Sequence, residues 1–331
     1  AVFALGLSCL LFAAASSFKV ALIARMLMGM CASFGFVGML KGLEQMFSTK
    51  YFPIALALAE ALSMVGVAIF NYSYSVVTTF FNWRIATVGG SIFAIALSFA
   101  IYKLLHANPA LTKPKGKERT DVKIWKALSF LIRSKTVWLS GIYTGLTYAL
   151  ITSFVELWGI PYIETVFHLS NLEATKLVSL VYIGMGVGSP IIGWLAGRVS
   201  ITGIMTYGAF STFLLFSAFL FFSEMSFASL TVYMLALGIS CSSYIVAFTL
   251  VNNHIESHMK GVAMGFTNML CMVSAPVIQI SIGLILTLTQ GGVFDHNEIY
   301  TAGDYKKALL ILPICFILAV CTGLTLHRKN K

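Results

Sequence analysis

The chain has 331 residues, 58% of them hydrophobic and only 10% charged, with a formal net charge of +10. A soluble domain carries about 25% charged residues, so water is excluded as the main solvent of this chain. The basic excess gathers in a few connecting segments and forms no stripe on a soluble face, which argues against nucleic acid as a partner.

Apolar runs recur along almost the whole sequence, and about 20 such residues make one helical span. They show no period-two alternation, so a closed barrel is ruled out and the spans are helices that satisfy their own backbone. Ten are predicted, at 1–18, 20–47, 51–80, 84–105, 137–160, 172–197, 201–223, 227–251, 261–289 and 307–326, with boundaries good to about four residues. The first, "AVFALGLSCLLFAAASSF", has no Met and no basic leader region, so it fits a membrane helix better than a signal peptide. The expectation is a chain that starts inside a helical bundle, with upstream helices missing.

The second span carries Arg25 near one end and Lys41 toward the other; the third carries Glu60. An ionisable side chain at membrane depth costs ~2.5–3.5 kcal/mol on insertion scales, so each is a functional candidate. Lys41 and Glu60 lie at similar depth, which permits an interhelical ion pair; Lys41 with Glu44 at i,i+3 is the local alternative. Arg25 suits a bidentate grip on a carboxylate or phosphate, and equally a structural bond to Asn71 or Tyr72.

Residues 106–136 are polar, basic and Pro-containing, and divide the chain into four spans and six. In the span that follows, Ser140, Thr144, Tyr148, Thr152 and Glu156 recur every four residues. Such spacing puts them roughly on one face, drifting ~40° per step, and a polar face has no partner in lipid. Tyr148 and Thr152 are expected to line a wet path, Glu156 to handle a coupled ion or to end the span at interfacial water. Gly159 and Pro161 are expected to weaken the helix there. The next span holds Gly184, Gly186, Gly188, Gly193 and Gly197 with Pro190, a smooth surface for close packing and a candidate hinge.

His254, Glu256 and His258 offer two histidines at i,i+4, but no third ligand is evident and a solvated turn is the better reading. The six cysteines form no CxxC pair, so no metal and no cofactor is expected. Asn268 and Gln279 lie eleven apart, close to three turns and so on one face; they would bind solute or glue helices, glue being favoured for Gln279.

With 106–136 placed in the cytoplasm, 15 Lys and Arg fall on that side and six on the other, so the C-terminus is predicted cytoplasmic. "AEALSMVGV" (59–67) and "TNMLCMVSA" (267–275) share apolar spacing and place Glu60 and Asn268 alike, a faint internal repeat.

Several patterns together resemble the major facilitator superfamily of twelve-helix secondary transporters. "ARMLMGM" at Arg25 and Gly29 looks like its fourth-helix pattern, "NWR" (82–84) like the turn between helices five and six, and "GWLAGRVS" (193–200) like its signature between helices eight and nine. In the last, Gly197 stands where the family usually has Asp, which removes an expected latch. "LWGIPYIETV", "GVAMGFTNML" and "YTAGDYKKALLILP" are similar to a bacterial branch of organic-anion and sugar-phosphate permeases.

The resemblance implies an all-α integral membrane fold holding helices three to twelve. Residues 1–105 would be the remainder of an N-terminal bundle (helices 3–6), 106–136 a basic cytoplasmic linker, and 137–331 a C-terminal six-helix bundle (helices 7–12). It implies a proton-coupled carrier in the cell (inner) membrane, acting as a monomer by alternating access on a small polar solute: organic anion, amino acid or peptide, or sugar phosphate. Arg25, Lys41, Glu60, Thr144, Tyr148, Thr152, Glu156 and Asn268 are the binding candidates, with Glu60 or Glu156 as the proton-sensitive group. The alternative is a receptor or scaffold derived from such a carrier. No HExxH, P-loop or GxSxG occurs, so ATP-driven transport and the common hydrolase chemistries have no support.

Overall fold

The computed structural model describes residues 1–107, 124–222, 224–289 and 300–329. The helices are α1 (Val2–Ala13), α2 (Phe18–Met46), α3 (Phe52–Phe80), α4 (Trp83–Ala107), α5 (Ile124–Arg133), α6 (Lys135–Ala149), α7 (Gly159–Phe167), α8 (Asn171–Ala196), α9 (Ile201–Phe221), α10 (Phe227–Cys241), α11 (Val246–His254), α12 (Lys260–Thr289), α13 (Ala302–Leu309) and α14 (Ile311–Lys329). Leu150–Trp158 joins α6 to α7 as a π-helix, and Ser242–Ile245 joins α10 to α11 as a 3₁₀ turn. Among the described residues nine helical stretches are long and apolar enough to cross a membrane, and the apolar Val2–Ala13 is shorter.

Helix starts follow local chemistry. Ser17, Ser134, Ser200 and Ser226 accept from backbone N–H groups of the first turns of α2, α6, α9 and α10. Ser170 with Glu173, and Thr301 with Asp304, close reciprocal capping boxes on α8 and α13, each satisfying two orphan donors. Inside the spans most hydroxyls donate to a carbonyl three or four residues back, as Ser8 does to Ala4 at 2.8 Å and Thr147 to Tyr143 at 2.7 Å. That back-bonding is what makes Ser and Thr tolerable in an apolar medium.

The chain forms two compact units, one of Ala1–Ser48 with Ser73–Asp121, the other of Thr49–Tyr72 with Val122–Lys331. α3 is one unbroken helix whose first part belongs to the second unit and whose last turns belong to the first. In the first unit α1 packs on α4 and α2. Phe12 meets Trp83 with ring centroids 5.5 Å apart, and Arg84 donates to the Ala15 carbonyl at 3.1 Å.

The second unit is built on the pairs α8–α10, α6–α12, α9–α14 and α6–α14. A Cβ on Gly184 would collide with the Leu235 carbonyl, so backbone touches backbone there. Gly193 does the same for α3, where an added Cβ would lie 2.9 Å from the Pro53 carbonyl. The smooth face expected of this helix is used for close packing on two neighbours. Phe154, Tyr162, Phe216 and Phe219 are fully buried and meet mostly edge to face, a favoured aromatic geometry.

The linker expected over 106–136 is described only in part. Residues 108–123 lie outside the described residues, whereas Ile124–Arg133 is α5, with Ala127 and Leu131 buried. Leu131 joins Val137, Val251, Ile255, Ala263 and Phe266 in one apolar cluster. The span expected to end near 160 runs on to Phe167. Pro161 has no N–H to donate, and the chain meets this upstream with a wide turn, Gly159 donating five residues back to the Phe154 carbonyl. The expected weakening is therefore a π segment within a continuing helix.

Candidate functional site

Glu60 lies in the part of α3 that belongs to the second unit, and is 2% exposed. Its carboxylate accepts a hydrogen bond from the Tyr244 hydroxyl. Tyr244 sits in the 3₁₀ turn Ser242–Ile245, where the tighter winding re-aims the side chains between α10 and α11. Room for that turn comes from glycines on both neighbours: a Cβ on Gly188 of α8 would strike Ser242, and one on Gly208 of α9 would strike Ser243. Buried Tyr143 of α6 then ties the turn down, donating to the Met205 carbonyl at 2.7 Å and lying 3.2 Å from the Ser243 hydroxyl.

Tyr148, at the end of α6, lays its ring beside Tyr244 with centroids 4.7 Å apart and planes inclined by 38°. Just beyond it the π segment carries Glu156, with Tyr182 of α8 as its polar neighbour. Tyr148 stands within electrostatic reach of both glutamates. The Glu60–Tyr244 pair and Glu156 thus lie around Tyr148, Tyr244 being placed by the 3₁₀ turn and Glu156 by the π segment.

Among the described residues the one ion pair is His258 with Glu256, at 3.3 Å. Neither Glu60 nor Glu156 is neutralised by a cation there. One buried carboxylate held by a neutral phenol, with a second carboxylate nearby and two tilted tyrosine rings, makes a site that can exchange protons or receive a cationic group.

The four-residue ladder does not run as a single open face. Ser140 and Thr144 are fully buried, and Thr144 donates to the Ser140 carbonyl at 2.6 Å. Tyr148 is half-buried, Thr152 buried and Glu156 exposed. A drift of roughly 80° over the two steps from Ser140 to Tyr148 carries the ladder from helix packing to the tyrosine cluster.

Other candidates fall elsewhere. Lys41 is exposed on α2 in the first unit, with no ion pair to Glu44, while Glu60 takes its partner from the second unit. Arg25 is exposed and stacks on Phe12, 4.5 Å from the ring centroid. Asn268 is half-buried on α12. Gln279 donates to the Thr152 carbonyl at 2.6 Å, which ties α12 to the π segment. No cluster of three metal-ligating side chains occurs among the described residues. Sequence reasoning missed Tyr244 and Tyr182; the available signal was a phenol amid apolar residues in the run "SCSSYIV" (240–246) and in "LVYIG" (180–184).

The sequence profile of the Major Facilitator Superfamily matches residues 1–278. Two curated relatives are lysosomal dipeptide transporters MFSD1, from Gallus gallus at 25% identity over 85% of this chain and from Danio rerio at 24% over 80%. The chain spans 64% and 58% of their respective lengths. Among solved structures, the E. coli fucose:proton symporter FucP in its outward conformation superposes with a TM-score of 0.68 at 13% identity, covering 98% of this chain and 81% of its own. A bacterial homologue of the human lysosomal transporter Spinster, inward-facing and occupied, gives 0.60 at 12% identity, covering 99% and 81%. At these identities the two structures establish a shared fold.

Proposed function

The chain belongs to the Major Facilitator Superfamily, a family of multi-pass membrane transporters, and from that premise we propose that it carries a small polar solute by alternating access, coupled to protons. The observation that carries the proposal is Glu60, a carboxylate enclosed in an apolar interior and held by the phenol of Tyr244. A carboxylate kept at membrane depth without a cation is costly, which makes it a functional candidate, and proton exchange is the chemistry it offers.

Of the solute classes considered, amino acids and short peptides fit best. Glu60 and Glu156 disfavour organic anions and sugar phosphates, while the Tyr148–Tyr244 ring pair suits an ammonium group. The curated relatives, named as dipeptide transporters, point the same way. The second part of α3, with Arg25 and Lys41, would then serve the first unit, and the basic central segment and C-terminus would face the cytoplasm of a cell membrane.

The test is uptake of labelled dipeptides, phosphate esters and dicarboxylates into proteoliposomes holding the full-length protein under an imposed pH gradient. Dipeptide uptake driven by inward proton flow supports the reading. Uptake confined to anions overturns the solute class, and uptake indifferent to the pH gradient overturns the coupling.

A further inference from the structure

A groove of about 760 Å³ opens on the second unit between α8, α9, α10 and α14. Ile192, Leu195, Ile204, Ile239 and Leu324 give it apolar walls. Thr206, Ser211 and Ser240 also line it, but each hydroxyl donates to a carbonyl of its own helix at 2.8–2.9 Å. The slot itself therefore asks for hydrocarbon.

Its mouth has different chemistry. His327 Nδ1 lies 2.8 Å from the Thr202 hydroxyl, which lies 2.9 Å from that of Ser200, so the end of α14 is tied to the start of α9. Arg198 is exposed and stacks 3.8 Å from the centroid of the Trp194 ring, and Arg328 is exposed beside His327. No Asp or Glu occurs in residues 190–211, 239–243 or 320–329. A Trp–Arg stack marks the headgroup level of a bilayer, and a basic, acid-free rim there favours an anion.

We infer that this groove holds one acyl chain of an anionic phospholipid, with its phosphate at the mouth against Arg198, Arg328 and His327. Charge complementarity selects the occupant. A zwitterionic lipid fills the slot but brings a choline whose charge offsets its phosphate at the basic rim, and a soluble phosphate answers the rim and leaves the slot unfilled. The site is separate from the glutamate–tyrosine cluster, and its test does not depend on which solute is carried.

The experiment uses the full chain in neutral detergent, titrated with dioleoylphosphatidylglycerol, dioleoylphosphatidylcholine or glycerol 1-phosphate, with lipid retention read by native mass spectrometry. The anionic lipid is expected to be retained about tenfold more tightly than the zwitterionic one, since each basic group at a charged surface contributes several-fold. The double variant Arg198→Gln, Arg328→Gln should lose that preference while still retaining some of either lipid. Gly203→Phe, at a position where an added Cβ meets nothing closer than Ser200 Cβ at 3.6 Å, should fill the slot and abolish retention of both. Equal retention of the two lipids by the unaltered chain overturns the inference, whether or not the variants fold. So does a preference that survives the arginine replacements, retention that survives Gly203→Phe, or displacement of the lipid by glycerol 1-phosphate.

Discussion

Replacing Tyr244 with Phe removes one oxygen from the centre of the site and nothing else. The ring stays, so its packing on Tyr148 at 4.7 Å is retained, and Glu60, 2% exposed, loses the donor that holds it. A hydrogen bond to a charged group contributes about 1.5–3 kcal/mol, a neutral one about 0.5–1.5. A double-mutant cycle with Glu60→Leu, which unlike Gln cannot accept from the phenol, isolates that coupling, measured as reversible unfolding in mixed micelles. If Glu60 is ionised in the resting protein, the coupling should be about 2 kcal/mol, a factor of about 30 in the folding equilibrium. In proteoliposomes Glu60→Gln should abolish the response of uptake to a pH gradient while sparing solute exchange, because the carried proton is gone and the helix contact remains. A coupling below about 0.5 kcal/mol, less than even a neutral bond contributes, would refute the pairing as the organising contact. A Glu60→Gln protein that still concentrates solute on a pH gradient would refute its role in coupling.

Tyr182→Phe removes the phenol that neighbours Glu156; the KM for dipeptide should rise about tenfold, as for one polar contact to a charged group, with the protein still folded by circular dichroism. Gly184→Leu drives a side chain into the Leu235 carbonyl, and overpacking of 1–3 kcal/mol or more should appear as lost monodispersity on size-exclusion chromatography; a well-behaved Leu variant would contradict the α8–α10 contact. Gln279→Leu uncaps the Thr152 carbonyl, and the loss should be about 0.6–1.7 kcal/mol, the range for polar contacts between membrane helices, read by unfolding in micelles. Ser170→Ala removes the α8 capping box and should cost about 0.5–2 kcal/mol without altering uptake kinetics.

Much of the architecture was legible before any coordinates. Transfer of apolar residues from water to lipid is a property of composition, and helix length against bilayer thickness is arithmetic, so spans such as 201–223 and 261–289 fall close to α9 and α12. The glycines of α8 announced close packing because a missing side chain is visible in any context. The partner of Glu60 was not legible. Tyr244 is 184 residues away, and no periodicity links two positions on different helices. Their meeting depends on how α3 crosses α8 and on the angle through which a 3₁₀ turn rotates one phenol. Likewise Pro161 foretold a disturbance in its helix, but not its form, a π segment starting at Leu150. The sequence by itself determined the solvent and the helices, because those follow from local chemistry and length, and its motifs carried the family resemblance. Only the tertiary structure decided which polar groups meet, because that is set by helix rotation and crossing, to which residue types respond but which they do not encode one at a time.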